Sequence, residues 1–217
     1  MSTSKTRPKS VITSDPLYPK KAELLDIKIY PAQVLKRVAD PVIHFDKELK
    51  KLCQDMIKTM YHAPGIGLAA PQIGISKRLF VLDVDYERKR KPSTEEEDNS
   101  DIELEDETVE IHSLRPKIYI NPEIVSVEGE TTYQEGCLSL PGIFDEVKRH
   151  KKIQVKYQDE HGKEHLEEAD DLLSICMQHE TDHLNGVMFI ERLSQLKFNF
   201  YRNKFIKSAT AKKIKKS

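Results

Sequence analysis

The sequence predicts an α+β fold, in which strands and helices occupy separate stretches of the chain. Short apolar segments bounded by turn residues, the pattern of strands, recur between residues 78 and 157. One amphipathic helix is indicated before them and another after them, without the strand-helix alternation of βαβ folds. The 217 residues suffice for one domain of ordinary size with additional segments.

The N-terminal part divides into a leader and a first helix. Residues 1–24 are rich in Ser, Thr, Lys and Pro, which is typical of a flexible basic leader, and we predict a single domain over residues 25–217. Apolar residues at spacings of three and four follow Asp46 and end before Pro64, which predicts a helix with Asp46 as its N-cap. Cys53 lies on the apolar face of that helix, so we interpret it as a core residue.

A strand is predicted over residues 78–85, and the strand pattern resumes at residue 116. Between them, residues 93–110 contain ten acidic residues and neither Lys nor Arg. Because low apolar content and like-charge repulsion oppose packing, we predict that residues 88–112 form an acidic disordered insertion. The later strands are predicted at residues 123–127, 131–138 and 153–157, with a turn at 158–163 that leads into another strand.

The C-terminal part is predicted to be helical. A second helix is indicated over residues 169–184, with acidic residues at its start and Gly186 just beyond its end. A basic helix or tail is predicted over residues 194–217. Eight Lys or Arg residues and no acid occur in residues 196–217, which suits an anionic surface such as RNA, with a solvated tail as the alternative.

Composition excludes several classes of protein. The apolar runs are a handful of residues long, whereas a membrane span needs about 20, so we predict a soluble protein without a membrane partner. Three cysteines and no secretory signal indicate a reducing compartment. We predict the cytoplasm as the compartment. An organellar matrix is the alternative, because residues 1–10 lack acids, as transit peptides do. It is disfavoured because these residues also lack the apolar face that a transit peptide needs.

The most informative motif is the sequence His179-Glu180-Thr181-Asp182-His183, an H-E-x-x-H pattern within the second predicted helix. The i, i+4 spacing places His179 and His183 on one face, where two imidazoles can hold one metal ion. Glu180 projects beside them and can act on a bound water. A catalytic metal site usually has three protein ligands, so a further ligand is required.

The third ligand distinguishes the possible families. Metzincin peptidases have a His where this chain has Phe189, and thermolysin-like peptidases use a Glu further downstream than Glu191. The ligand therefore comes from upstream. We favour Cys137, because a thiolate binds such metals strongly. Cys176 is the alternative, although its side chain begins about 10 Å along the helix axis from His183.

Three segments together resemble the peptide deformylases, enzymes that remove the N-formyl group from the formyl-methionine of new proteins and release formate. These segments are Gly65-Ile66-Gly67-Leu68-Ala69-Ala70-Pro71-Gln72, Glu135-Gly136-Cys137-Leu138-Ser139 and Gln178-His179-Glu180-Thr181-Asp182-His183-Leu184-Asn185-Gly186. The resemblance covers about residues 28–204. It implies small mixed or antiparallel sheets packed around a central metal-binding helix, with a basic C-terminal helix.

The resemblance also implies roles in a metal-dependent hydrolase. These are metal binding by Cys137, His179 and His183, general acid/base catalysis by Glu180, and an oxyanion hole made by Gln72 and the backbone N–H of Leu138. A Cys/His/His set accepts Fe(II), Zn(II), Ni(II) or Co(II). The family implies Fe(II) in the cell.

For the substrate, we predict that residues 65–67 form an extended edge with which the substrate main chain pairs as an added strand. An unbranched apolar slot for the methionine is predicted beside the metal, with ordinary core packing as the alternative for its lining residues. The predicted substrate-binding residues are Gly65, Ile66, Gly67, Gly136, Ile175 and Cys176. Glu135 and Arg149 are predicted to form an ion pair that fixes the loop carrying Cys137.

Two other classes of protein compete with this interpretation. A zinc endopeptidase would need a third ligand that the downstream sequence lacks. A non-catalytic, metal-stabilised adaptor that binds RNA would need neither Glu180 nor Gln72. The resemblance favours a bacterial enzyme whose partners are nascent N-formyl-methionyl polypeptides and, through residues 196–217, the ribosomal RNA surface.

Overall fold

The computed structural model describes residues 10–90 and 108–214. Its helices and strands follow one another along the chain in this order: β1 (Ser10–Ile12), α1 (Lys47–His62), β2 (Gly67–Ala69), β3 (Leu79–Leu82), β4 (Glu87–Arg90), β5 (Thr108–His112), β6 (Lys117–Gly136), β7 (Phe144–Gln158), β8 (Glu164–Asp170), α2 (Asp171–Leu184) and α3 (Gln195–Ile214). The predicted α+β class is confirmed. Within the described ranges, no helix has the length and apolarity to cross a membrane.

The larger sheet has five strands in the order β2-β3-β6-β7-β8, and every neighbouring pair is antiparallel. The strand predicted at residues 123–127 lies within β6, and so does most of the strand predicted at 131–138, since β6 ends at Gly136. They merge because β6 pairs with β7 along most of its length, with irregularities between Ile120 and Glu123 and between Ile124 and Ser126. The short strand β2 forms one edge of this sheet.

Helix α1 forms where the apolar spacing predicts it. Asp46 caps it, because its side chain accepts a hydrogen bond from the backbone N–H of Leu49 at 2.8 Å. The apolar face, which includes Cys53 and Met56, is buried in a core shared with Leu68 and Val81 of the larger sheet. The helix therefore fixes the starting point of the connection that leads into β2.

Helix α2 is buried from Ser174 to Leu184, so it runs through the interior of the domain. It packs against the larger sheet, where Met177 and Leu184 share a core with Phe80 and Val155. Gly186 follows the helix at φ +71°, and a Cβ there would lie 2.8 Å from the backbone carbon of Lys36. This close contact explains why the chain turns at a glycine.

A second sheet, which we call the inserted sheet, consists of β1, β5 and β4 in that order. It corrects two sequence predictions. Ser10–Ile12 of the predicted flexible leader pairs with β5, and the ends of the predicted disordered insertion form β4 and β5. The physical reason is that Val109 and Ile111 alternate with half-buried residues and are themselves buried in the α1 core. Residues 1–9 and 91–107 lie outside the described residues.

Helix α3 begins at Gln195, close to the predicted start of the basic helix. Its Phe198, Tyr201 and Phe205 pack on a third apolar cluster. Lys197 and Tyr201 also bind the carboxylate of Asp145 on β7, at 2.7 Å and 2.9 Å. These contacts hold the basic helix against the domain.

Candidate metal centre and active site

A cysteine and two histidines converge at the middle of the domain. The ligand atoms of Cys137, His179 and His183 all lie within 4.8 Å of one another. Cys137 follows the end of β6, while both histidines are on α2. The turn of α2 places the imidazole rings 4.9 Å apart, and His183 Nε2 lies 3.3 Å from Cys137 Sγ.

The tautomer of His179 is set by Glu135, which lies one position before Gly136 near the end of β6. Burial opposes ionisation of Glu135, but hydrogen bonds from Arg149 and His179 outweigh it and lower the pKa of the carboxyl to about 2. The carboxylate can therefore only accept, so His179 Nδ1 carries the hydrogen that it donates to Glu135 Oε2 at 2.7 Å. His179 Nε2 is left to face the thiol.

Arg149 makes the predicted pair with Glu135 and extends it. Its Nε and Nη2 donate to the two oxygens of Glu135 at 2.6 Å and 2.9 Å, and its Nη1 donates to Asp182 Oδ2 at 2.6 Å. Asp182 also binds Arg192. Sequence analysis missed Asp182 and Arg192; the one available signal was the position of Asp182, an acid one residue before His183 within a buried helix.

His183 has the properties of a neutral ligand. Burial, together with the charges of His179 and Arg149, lowers the pKa of His183 well below its ordinary value. Its Nδ1 is buried and has no hydrogen-bond partner among the described residues.

The donor set fits a divalent transition metal. Two imidazoles and one thiol are ligands that Zn(II), Fe(II), Ni(II) and Co(II) accept. One ion can reach ligand atoms 3.3 Å apart at typical lengths of about 2.1 Å to nitrogen and 2.3 Å to sulfur. Cys176, the alternative third ligand, instead packs with Met177 in the core, and burial raises the pKa of its thiol. The structure therefore groups Cys137 with the histidines.

Glu180 supplies a carboxyl group beside the three potential ligands. It is 5% exposed, and its Oε2 has no hydrogen-bond partner within the described part of the chain. Burial raises its pKa to about 7, against the lowering effect of His179. A group with a pKa near neutrality can accept a proton and return it under ordinary conditions.

Glycines of the first motif allow close packing at this point. A Cβ on Gly67 would collide with the Glu180 carboxylate, and a Cβ on Gly65 would lie 2.8 Å from Leu138 Cδ1. A side chain at either position would therefore have to displace Glu180 or Leu138 from its present place, and neither glycine has a positive φ. This packing brings the edge of the larger sheet directly against the Glu180 carboxyl and against Leu138, the residue after Cys137.

Gln72 lies in the turn after β2, with its amide directed at the cysteine. Its Oε1 accepts a hydrogen bond from the backbone N–H of Ala69 at 2.7 Å, which fixes the orientation of the carboxamide. Its Nε2 consequently points towards Cys137 Sγ at 3.5 Å and Ser139 Oγ at 3.4 Å. The side chain thus presents an N–H donor at the metal centre.

The outer edge of β2 faces the same site. Ile66 C=O accepts from Asp83 N–H at 2.9 Å, so it faces β3, whereas Ala69 N–H faces away from β3 towards Gln72. Since backbone groups two residues apart along a strand point the same way, Gly67 presents its N–H and C=O to the free edge. Of the predicted edge residues 65–67, only Gly67 lies within the edge strand, while Gly65 and Ile66 belong to the connection that leads into it.

The remaining predicted substrate residues lie on three different segments: the connection into β2, helix α2 and the end of β6. Ile66 is 37% exposed, while Ile175 and Cys176 are buried on α2. Gly136 ends β6 opposite Phe144, whose ring would meet a Cβ at that position.

Comparisons with known proteins agree with this geometry. A family model described as polypeptide deformylase matches residues 24–199. A peptide deformylase of Chromobacterium violaceum is 47% identical over 174 residues, which cover 80% of this chain and 89% of that protein. One from Rhizobium meliloti is 43% identical over 188 residues, 86% of this chain and 95% of that protein.

Solved structures are similar as well. The crystal structure of a peptide deformylase from Legionella pneumophila matches with a TM-score of 0.69 and 39% identity, covering 87% of this chain and 97% of that chain. One from Synechococcus elongatus, in complex with actinonin, matches with a TM-score of 0.68 and 38% identity, covering 92% and 93% of the two chains.

Replacing Glu135 with Gln tests the hydrogen bond that orients the His179 ring. We expect the affinity for Zn(II) or Ni(II) to fall about 10–100-fold, because a neutral amide pairs less well with Arg149 and with the Nδ1–H of His179. Competition with a chelator measures the affinity. Glu130→Gln, exposed on the same strand, is the matched control. Unchanged affinity in a folded Glu135→Gln variant would contradict the role given to this carboxylate.

Proposed function

Since this chain belongs to the polypeptide deformylase family, whose members remove the N-formyl group from nascent peptides, we propose a role for each of its site residues in that reaction. The observation that carries the proposal is the position of Glu180, a buried carboxyl with an unpartnered oxygen, between two histidines that converge with Cys137. A purely structural metal site needs no such group.

In this proposal Cys137, His179 and His183 hold one divalent ion, which is Fe(II) in the cell, with Zn(II), Ni(II) or Co(II) as substitutes. When held by these residues, such an ion would supply Lewis acidity, which would lower the pKa of a water molecule and polarise the formyl carbonyl. Glu180 takes the proton of the attacking water on its free oxygen. It returns that proton to the α-amino nitrogen when the C–N bond breaks, so that formate and a free N-terminus are released.

Gln72 and the backbone N–H of Leu138 form the oxyanion hole in this proposal. The support is that Ala69 orients the Gln72 amide in advance, so that no reorganisation is needed when negative charge develops on the formyl oxygen. Leu138 directly follows Cys137, which keeps its N–H near the same centre.

The substrate main chain pairs with the free edge of β2 at Gly67, and its methionine side chain enters a slot formed by Ile66, Ile175, Cys176 and Gly136. Main-chain hydrogen bonds depend little on side-chain identity, so this mode suits an enzyme that acts on many different N-termini. The exposure of Ile66 at the edge and the burial of Ile175 on α2 support a slot that is open on one side.

The enzyme acts in a bacterial cytoplasm, near the ribosome. Support comes from the bacterial relatives and from the basic surface of α3, where Lys204 and Lys207 are exposed. Positive charges on one helix favour the phosphate backbone of RNA.

The role of Glu180 is tested by formate release from formyl-Met-Ala, with protein loaded anaerobically with Fe(II). We expect kcat to fall about 10²–10⁴-fold in Glu180→Gln while metal content stays unchanged, because proton transfer is lost and the ligands remain. Glu168→Gln, exposed on β8, is the control. Turnover that persists in Glu180→Gln would reject this assignment.

Gly67→Ala tests the packing of β2 on Glu180. The added methyl group displaces the carboxylate, so we expect kcat to fall about 10²-fold, as small misplacements of catalytic groups do. Gly142→Ala places a methyl group in open space at φ +74° and controls for a general loss of stability. Steady-state kinetics at equal metal content provide the measurement, and an unchanged kcat would contradict the model of the site.

Charge reversal on α3 tests ribosome association. We expect the Lys204→Glu, Lys207→Glu double variant to lose co-sedimentation with ribosomes at low salt, and wild-type binding to weaken as salt rises. Reversal of Lys148 and Lys151, exposed on β7, is the matched control. Ribosome binding that is unchanged both by salt and by the charge reversal on α3 would exclude a contact between α3 and the ribosome.

A further inference from the structure

The inserted sheet is tied to the connection between α1 and β2. Tyr86, the residue before β4, donates its hydroxyl hydrogen to the carbonyl of Gly65 at 3.0 Å. Arg88 Nη1, on β4 itself, donates to the carbonyl of Tyr61 in the last turn of α1 at 3.1 Å. One side chain of the inserted sheet and one from the residue just before β4 therefore hold the main chain that leads to the outer edge of β2.

A buried carboxylate closes the base of the same arrangement. Asp83 is 2% exposed, and it accepts from the hydroxyl of Tyr61 at 2.5 Å and from the backbone N–H of Arg115 at 2.7 Å. Its own N–H donates to Ile66 at 2.9 Å. Asp83 follows β3, Arg115 lies between β5 and β6, and Ile66 precedes β2. The three connections therefore meet at one residue, which limits their relative movement.

The Tyr86 ring is also held in place. It packs edge-to-face on Tyr61, with ring centroids 4.9 Å apart and planes at 76°. Both rings belong to the core that contains Val109 and Ile111 of the inserted sheet. The hydroxyl is therefore fixed in position before any substrate arrives.

We propose that Tyr86 is a positioning residue for the substrate: by holding the Gly65 carbonyl, it fixes the path of the β2 edge on which the substrate main chain pairs. This inference rests on the proposed mode of substrate binding. Two of residues 65–67 are glycines, which have the largest backbone freedom to lose on ordering. A hydrogen bond that orders them in advance reduces the entropy cost of binding.

The proposed test compares wild type with Tyr86→Phe and with Tyr18→Phe. Tyr18 belongs to the same aromatic cluster, at 6.4 Å from Tyr61, and serves as the matched control. KM and kcat are measured with formyl-Met-Ala-Ser on Fe(II)-loaded enzyme, and calorimetry gives the affinity for the product peptide Met-Ala-Ser. Metal content and thermal unfolding are recorded for each variant.

For Tyr86→Phe we expect KM and the product Kd to rise about fivefold, the ratio that corresponds to loss of one ordinary hydrogen bond, with kcat within twofold of wild type. Tyr18→Phe leaves KM and Kd unchanged. A product Kd within twofold of wild type in Tyr86→Phe overturns the proposal, as does an equal rise in Tyr18→Phe. Absence of turnover in wild type would instead reject the proposed reaction, and the Kd comparison would still decide the role of Tyr86.

Discussion

The geometry of the candidate metal centre depends on the hydrogen bonds of the Glu135 carboxylate. This carboxylate lies at the end of β6 and binds Arg149 of β7 and His179 of α2, so three elements meet at one buried charge. A buried carboxylate is tolerated only when its lone pairs are used, and both of its oxygens are engaged here. Arg149 then carries the connection to Asp182, in the same helix turn as His183.

Close packing at the edge of the larger sheet adds the second constraint. The Glu180 carboxyl has room because Gly67 lacks a side chain, and the Gln72 amide is oriented because the backbone N–H of Ala69 donates to its oxygen. The same short strand therefore shapes both the proposed acid/base and the proposed oxyanion donor, while its free edge stays open to a peptide. In the proposed reaction, substrate binding and chemistry share this one strand, which limits errors in the placement of the formyl group.

The inserted sheet is integrated into the domain. Val109 and Ile111 complete the apolar cluster around α1, so the segments that flank the acidic stretch contribute to the core. Tyr86 and Asp83, in the connection between β3 and β4, bind Gly65 and Ile66 in the segment that leads into β2. A segment outside the three family motifs is thereby in contact with the proposed substrate edge.

The sequence by itself determined the features that are local. Helix periodicity and the Asp46 cap located α1, and the i, i+4 spacing placed His179 and His183 together, because both follow from the geometry of a single helix. The grouping of Cys137 with them and the pair of Glu135 with Arg149 were predicted from motif chemistry and family resemblance.

Only the tertiary structure decided which distant segments meet. Ser10 pairs with Thr108 across 98 positions, Asp182 joins Arg149, and the Tyr86 hydroxyl reaches Gly65. Strands of three to five residues, such as β1 and β5, are too short for their periodicity to stand out from the surrounding polar sequence. Their stability comes from pairing and from burial against α1, and neither is encoded in a local pattern.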